Sequence, residues 1–339
     1  MSPSAHTPVT PTTRPATMRA VTFRRYGPPD VLQVETLPVP APRDGEVLVR
    51  VGAVAVSAAD AAMRAADPFI ARLASGMRRP RRSVLGTELA GEIVAVGAGV
   101  TGRTVGERVA GATGIEMGGY AEYVRLPAEG VALIPEGIGL ADAVAIIEGG
   151  LTALPFLRDH AKVRPGQHVL INGASGGVGT AAVQLAKTLG AVVTGVCSAA
   201  NAELVAALGA DQVIDYAAVD FTRDTGAYDV VFDTVGKSSF RRCRRALKPG
   251  GIYLTTVPSA AIILQMLGTR WIGSRRAGIA FTGLRKPSAK AQDVAFLLEL
   301  AGAGAIRPVI DRALPLADVV EAHRYVDTGR KRSAVVLTP

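Results

Sequence analysis

Cysteine is scarce in this chain: Cys197 and Cys243 are the only two in 339 residues. Two distant thiols exclude a disulfide scaffold and fit a reducing compartment. They also cannot supply the four clustered thiolates of a structural zinc site. Histidine is nearly as rare. None of His6, His160, His168 and His323 has a Cys or carboxylate at metal-ligand spacing, so each reads as a surface or capping residue. Acidic residues are outnumbered, 29 Asp and Glu against 38 Lys and Arg, giving a formal charge of +9. That balance can attract nucleic acid, acidic lipid or an anionic cofactor. The basic residues fall in short clusters: Arg78-Arg79-Pro80-Arg81-Arg82, Arg241-Arg242 with Arg244-Arg245, and Arg330-Lys331-Arg332. No aromatics interleave them, so solvated surface is the plainer reading and nucleic acid an unfavoured partner. The start of the chain lacks the apolar core of a secretory signal. The longest greasy run, residues 260–267, is too short to span a bilayer. A cytoplasmic protein without a membrane span is expected.

The strongest positive signal lies between His168 and Gly190. Val169, Leu170 and Ile171 read as a buried strand. The glycines Gly173, Gly176 and Gly179 follow as a turn. Val183, Leu185, Ala186 and Leu189 then line one side of a helix, and a second strand, 191–197, comes at once. Strand, glycine turn and helix together are the context that gives a dinucleotide fingerprint meaning. Small residues let the turn approach a pyrophosphate, and free amides at the helix start bind it. Gly173, Ala174, Ser175, Gly176, Gly177, Val178 and Gly179 are therefore the candidate phosphate-binding residues. A tight turn without ligand is the bland alternative.

Residues 1–17 are almost all Ser, Thr, Pro and Ala, and read as a disordered leader. From residue 18 to about 140, short strands punctuated by Gly and Pro point to a barrel-like β domain. Residues 140–161 look helical, interrupted around Gly149-Gly150. Strands are then predicted at 168–172, 191–197, 212–215, 229–233 and 251–256, with a last one near 278–283. Helices are predicted at 177–189, 200–208, 238–247 and 287–303. That alternation means parallel crossovers and a doubly wound sheet. Residues 307–310 and 334–337 read as strands that rejoin the first domain. The expected class is α/β: a doubly wound parallel sheet at 141–304, and a mostly β domain at 18–140 and 305–339.

Several segments carry a family resemblance in the expected order. They are Tyr26-Gly-Pro-Pro-Asp30, Gly86-Thr-Glu-Leu-Ala-Gly91, Gly118-Gly-Tyr-Ala-Glu-Tyr-Val124, Gly150-Leu-Thr-Ala153 and Ala174-Ser-Gly-Gly-Val-Gly179. Residues 208–216 and 228–236 add to them. From Met18 to Pro339 the chain resembles the zinc-independent quinone oxidoreductase (zeta-crystallin-like) branch of the medium-chain dehydrogenase/reductase superfamily. The resemblance implies a GroES-like catalytic domain, a Rossmann NADP-binding domain, a cleft between them and a homodimer.

It also implies roles for single positions. Ser57 and Thr87 stand where zinc-dependent relatives place a Cys and a His, so no zinc or other metal is expected. The second strand ends Cys197-Ser-Ala-Ala-Asn201, without the carboxylate that NAD enzymes offer to the ribose. NADPH is therefore the expected cofactor, with dual specificity as the alternative. Its 2′-phosphate would meet Ser198, Asn201 and Tyr216, although helix capping also explains the first two. Relatives often have Lys at position 201 and Gly-Lys where this chain has Ser333-Ala334; Arg330, Lys331 or Arg332 is expected to compensate. Thr152, Val235, Gly236 and Val257 should face the nicotinamide. Ser57, Asp60 and Arg64 form the acceptor side, where Asp60 is equally a helix cap and Arg64 reads best as structural. Ser57 replaces an Asn and Ala62 a Tyr, which widens the pocket toward a bulkier or greasier acceptor.

The implied reaction is hydride transfer from NADPH to a quinone or to the β-carbon of an α,β-unsaturated carbonyl. Donors must stabilise the oxygen that gains charge. A pathway-specific enoyl reductase fits the same residues. A non-catalytic nucleotide sensor or RNA-binding protein is the reading from another class. The apolar segment 260–271 is a lid, a docking patch or a short buried helix.

Overall fold

A turn at residues 28–31 folds the first extended stretch back on itself, so that β1 (Thr17–Phe23) pairs antiparallel with β2 (Leu32–Pro38). The computed structural model describes residues 15–67, 72 and 76–339. Residues 1–14 of the expected leader, with His6, lie outside the described residues. Thr17, assigned to that leader, instead belongs to β1, where it faces Pro38.

β3 (Glu46–Ala55) is apolar on both faces, and Val47, Leu48, Val49, Val54 and Ala55 are wholly buried. Such a strand belongs inside a sheet. It is followed by helix α1 (Ala58–Ala65), and then by β4 (Glu88–Val96), β5 (Arg108–Ala112), β6 (Tyr123–Pro127) and β7 (Val131–Leu133). β3 pairs with β4 and β6, and the sheet continues through β5 to β7. At its other end stand β15 (Ala334–Thr338), which pairs with β3, and β14 (Ile310–Pro315). β14 starts at the end of the stretch where sequence placed a strand, 307–310; Pro308 has no N–H for a ladder.

The second sheet has six parallel strands. They are β8 (His168–Asn172), β9 (Val192–Cys197), β10 (Gln212–Asp215), β11 (Tyr228–Asp233), β12 (Leu247–Thr255) and β13 (Arg276–Gly278). Their order is β10-β9-β8-β11-β12-β13, a doubly wound Rossmann arrangement. The expected last strand at 278–283 is displaced: β13 ends at Gly278, and residues 282–284 form a 3-10 turn.

Helices α2 (Leu140–Leu154), α3 (Gly177–Thr188), α4 (Ala202–Ala207), α5 (Phe240–Cys243), α6 (Ala260–Gly268), α7 (Pro287–Gly302) and α8 (Val319–Asp327) complete the described elements named here. The helix predicted at 238–247 shrinks to α5, because Leu247 already pairs with Tyr228 as the start of β12. α2 is not interrupted at Gly149-Gly150, and it continues as a π-helix to Ala161. Glycine is costly inside a helix, but here close packing requires it. A Cβ on Gly149 would lie 2.0 Å from the Gly177 carbonyl of α3, and one on Gly150 would meet Leu297 of α7 at 2.7 Å.

α2 packs against β3, β4 and β15 as well as α3 and α7, so it lies between the two sheets. The longest apolar stretch is therefore this helix and not residues 260–267. Leu140–Ala161 spans 22 residues and is apolar enough to cross a membrane by length and composition, but it is largely buried in the core. α6 overturns the buried-helix reading of its segment. Ile262 is buried, while Leu264, Leu267, Trp271 and Ile272 are exposed.

Candidate active site

The parallel strands bring the phosphate-binding candidates to one edge. β8, β9 and β11 end at Asn172, Cys197 and Asp233, and the glycine turn, Ser198 with Asn201, and Val235 with Gly236 follow these ends. Such a crevice outside the carboxyl ends of the strands is where doubly wound sheets bind ligands.

The glycine turn is tight because it must be. Gly173 has φ +84°, and a Cβ on Gly179 would lie 2.0 Å from the Gly173 carbonyl. α3 begins at Gly177, and its cap residue Gly176 offers no side-chain hydrogen bond. The first amides of the helix thus carry their partial positive charge without a capping side chain, which suits a phosphate. A dinucleotide fits this cradle. Asn201 Nδ2 donates to Ser175 Oγ at 3.1 Å, tying the loop after β9 to the turn. Ser198 stands half-exposed and Tyr216 exposed at the same strand ends. Asp215 is in register with Cys197, but one carboxylate oxygen accepts from the Ala217 amide in its own turn.

Val235 and Val257 are exposed at the mouth of the crevice, on the loops after β11 and β12. Gly173 and Gly236 leave the room they occupy: Cβ atoms there would touch Val235 at 2.5 Å and Val257 at 2.7 Å. Asp233 holds this corner together. Wholly buried, it accepts from the Gly236 and Ser238 amides at 3.0 and 2.8 Å, from Asn172 at 3.0 Å and from Tyr253 at 3.0 Å. Sequence reasoning did not single it out, although it lies within the segment 228–236 and ends β11.

Of the three residues expected on the acceptor side, Ser57 and Asp60 are tied to each other. Ser57 caps α1. Its Oγ accepts from the Asp60 amide at 3.1 Å and donates to Asp60 Oδ2 at 2.7 Å. Asp60 Oδ2 also accepts from the Ser57 amide, and Oδ1 accepts from Gly86 N at 3.1 Å. Burial pushes the Asp60 carboxyl upward, against these stabilising hydrogen bonds. Arg64 points away, to Asp327 on α8. The structure therefore joins Ser57 to Asp60 and separates Arg64 from them. Thr152 is half-buried on α2.

Two further charges were missed or misplaced. Glu88, at the head of β4, accepts from Thr87 Oγ1. Burial, followed by the charges of Asp60 and Glu148, pushes its carboxyl up to about 8. Lys331 does not turn outward to a 2′-phosphate; its ammonium binds Glu148 at 2.7 Å. Arg332 pairs with Asp311, which leaves Arg330 exposed. His323, expected at the surface, is fully buried. Among the described residues, no three His, Cys, Asp or Glu side chains converge as metal ligands.

Comparison with known proteins agrees with this architecture. Residues 43–136 match the alcohol dehydrogenase GroES-like domain family, and residues 208–337 match a family described as zinc-binding dehydrogenase. A quinone oxidoreductase of Pseudomonas aeruginosa is 32% identical, over 95% of this chain and 99% of its own length. A 2-haloacrylate reductase of a Burkholderia species is 30% identical, over 94% of this chain and 98% of its own. The crystal structure of Escherichia coli quinone oxidoreductase complexed with NADPH superposes with a TM-score of 0.82, at 26% identity, covering 95% of this chain and all of that one. The chain belongs to the medium-chain dehydrogenase/reductase superfamily, as an oxidoreductase of its zinc-independent quinone oxidoreductase branch.

Proposed function

We propose that the protein is a metal-free, NADPH-dependent reductase of quinones or α,β-unsaturated carbonyls. One observation carries the reading. An uncapped helix start at Gly177 and a loop after β9 without a carboxylate share one crevice; the family resemblance adds that Ser57 and Thr87 stand where zinc-dependent relatives place a Cys and a His. A bound NADPH supplies the hydride. The chain holds the phosphates on the α3 amides and frames the 2′-phosphate with Ser198, Asn201 and Tyr216. Val235 and Val257 provide an apolar wall that excludes water. The Ser57 hydroxyl is committed to Asp60, so the acceptor side offers little polar reach and favours a greasy acceptor. The E. coli relative bound to NADPH supports the cofactor, and the relative named for 2-haloacrylate favours an activated alkene. A pathway-specific enoyl reductase is the finer form of the same reading.

We place the two domains at 18–140 with 305–339, and at 141–304, in a cytoplasmic homodimer. Two buried free thiols fit a reducing compartment. β13 is the edge strand of the parallel sheet, and α6 beside it exposes Leu264 and Leu267. An open edge with an apolar flank suits a second copy. Sedimentation at micromolar concentration reads the oligomer.

The deciding experiment is oxidation of NADPH and NADH by chelator-treated protein, with benzoquinone, a naphthoquinone, a short alkenal and a long-chain enone as acceptors. NADPH turnover that survives chelation, best with the greasier acceptors, is the expected result. Activity lost on chelation and restored by zinc would overturn the metal-free reading.

A further inference from the structure

Between the phosphate turn and the acceptor side stands a buried charge pair. Glu148 lies on α2, one helical turn before Thr152. Its Oε1 accepts from Lys331 Nζ at 2.7 Å, and the two side chains are only 7% and 10% exposed. Lys331 Nζ also donates to the Val56 carbonyl at 3.3 Å, directly before Ser57. Glu148 Oε2 is buried and has no hydrogen-bond partner among the described residues. It points at the first residue of α3, since a Cβ on Gly177 would lie 2.4 Å from it.

A buried carboxylate oxygen without a donor is costly. The positive helix start beside it offsets part of that cost, but the oxygen still lacks a donor and can receive one. The pair touches both ends of the route a dinucleotide must take. Glu148 abuts Gly177, where the pyrophosphate binds, and Lys331 holds the backbone before Ser57, where the acceptor waits. The part of a dinucleotide between pyrophosphate and nicotinamide is a ribose with two adjacent hydroxyls. A carboxylate can only accept, and an ammonium can only donate. Glu148 Oε2 offers the acceptor. Lys331 has three N–H groups and uses two, so it offers the donor.

We propose that Glu148 and Lys331 together grip the nicotinamide-side ribose, Oε2 accepting from one hydroxyl and Nζ donating to the other. This rests on the NADPH reading above. The pair is a positioning device: it fixes the ribose, and through Val56 it couples the cofactor to the strand end that carries Ser57. The Lys331 charge also offsets the repulsion between Glu148 and the pyrophosphate.

Three probes separate the contacts: NADPH, 2′-phospho-ADP-ribose, which lacks the nicotinamide, and adenosine 2′,5′-bisphosphate, which also lacks that ribose. Binding is measured by calorimetry with no acceptor present. Glu148→Gln removes the charge. Glu148→Leu combined with Lys331→Met removes both charges, so no ion is left buried alone; thermal unfolding without ligand checks its fold. Both variants should bind NADPH and 2′-phospho-ADP-ribose about 10- to 100-fold more weakly, with the bisphosphate unchanged. Loss confined to NADPH would assign the pair to the nicotinamide and overturn the proposal. Equal loss for all three probes, or no loss, would overturn it as well. If the unaltered protein bound none of them, the NADPH reading itself would fall.

Discussion

The Arg64 guanidinium donates through one nitrogen, Nη2, to both carboxylate oxygens of Asp327, at 2.9 and 2.7 Å. Arg64 is 2% exposed at its side chain and Asp327 36%. The pair fastens α1 to α8, although 263 positions separate its members. Nε and Nη1 find no hydrogen-bond partner among the described residues. Arg64 is therefore dependent on a single carboxylate.

The first prediction follows. Asp327→Ala leaves a guanidinium buried with no counter-charge and should cost about 3 kcal/mol. Arg64→Met removes the charge itself, keeps much of the side-chain volume, and should cost less. Urea unfolding measures both. A larger loss for Arg64→Met would show that its stem, and not its charge, holds α1 in place.

His323 gives a pH dependence of known sign. It is wholly buried, its ring stands edge-on to Tyr120 at 5.7 Å, and neither nitrogen has a partner among the described residues. Burial, and then the Arg64 charge, push its pKa from 6.5 down to about 3. Between those values the unfolded chain binds a proton that the folded chain refuses. Stability from this residue is present above pH 6.5 and is lost as pH falls toward 3. From pH 7 to pH 5 the protein should lose about 2 kcal/mol through this group, and His323→Leu should not. Equal losses in the two proteins would mean that the ring titrates normally.

Glu88 behaves in the opposite sense. Its carboxyl is raised from 4.5 to about 8, so the folded protein keeps this proton at neutral pH. The stability it contributes is complete below pH 4.5 and is lost as pH rises through 8. Above pH 8 a new negative charge also enters the carboxylate group formed with Asp60 and Glu148. NADPH affinity should then fall several-fold between pH 7 and pH 9. Glu88→Gln should hold its affinity across that range. A variant that follows the wild-type decline would place the titrating group elsewhere.

What sequence revealed, and what it concealed, divides by range. The glycine turn, the strand that precedes it and the helix that follows are set by neighbours in the chain, so Gly173 to Gly179 were legible. So was the parallel alternation, because βα crossovers impose it locally. Glu148 and Lys331 are 183 positions apart, and no local pattern marks a buried ion pair. His323 looked like a surface residue because α8 carries charged neighbours, Glu321 and Arg324; only the fold shows that its ring enters the core against Tyr120. Gly149-Gly150 was misread for a physical reason. Propensity penalises glycine in a helix, and only the packing partner shows why it is tolerated.

That packing supports the last prediction. At Gly149 a new Cβ would meet a backbone atom, the Gly177 carbonyl at 2.0 Å, which cannot swing aside. Gly149→Ala must therefore push α2 away from α3, at a cost of about 1 to 3 kcal/mol. The same displacement moves Gly177, the first residue of the helix proposed to receive the phosphates, so NADPH affinity should fall together with stability. Gly150→Ala is the control one residue on. Its Cβ would meet the Leu297 side chain at 2.7 Å, which can rotate, and the helix gains up to about 1 kcal/mol in propensity. Thermal unfolding and NADPH calorimetry on the two variants should separate clearly, with binding weakened only by Gly149→Ala. If both variants bind NADPH like the wild type, the α2–α3 contact does not position the phosphate turn.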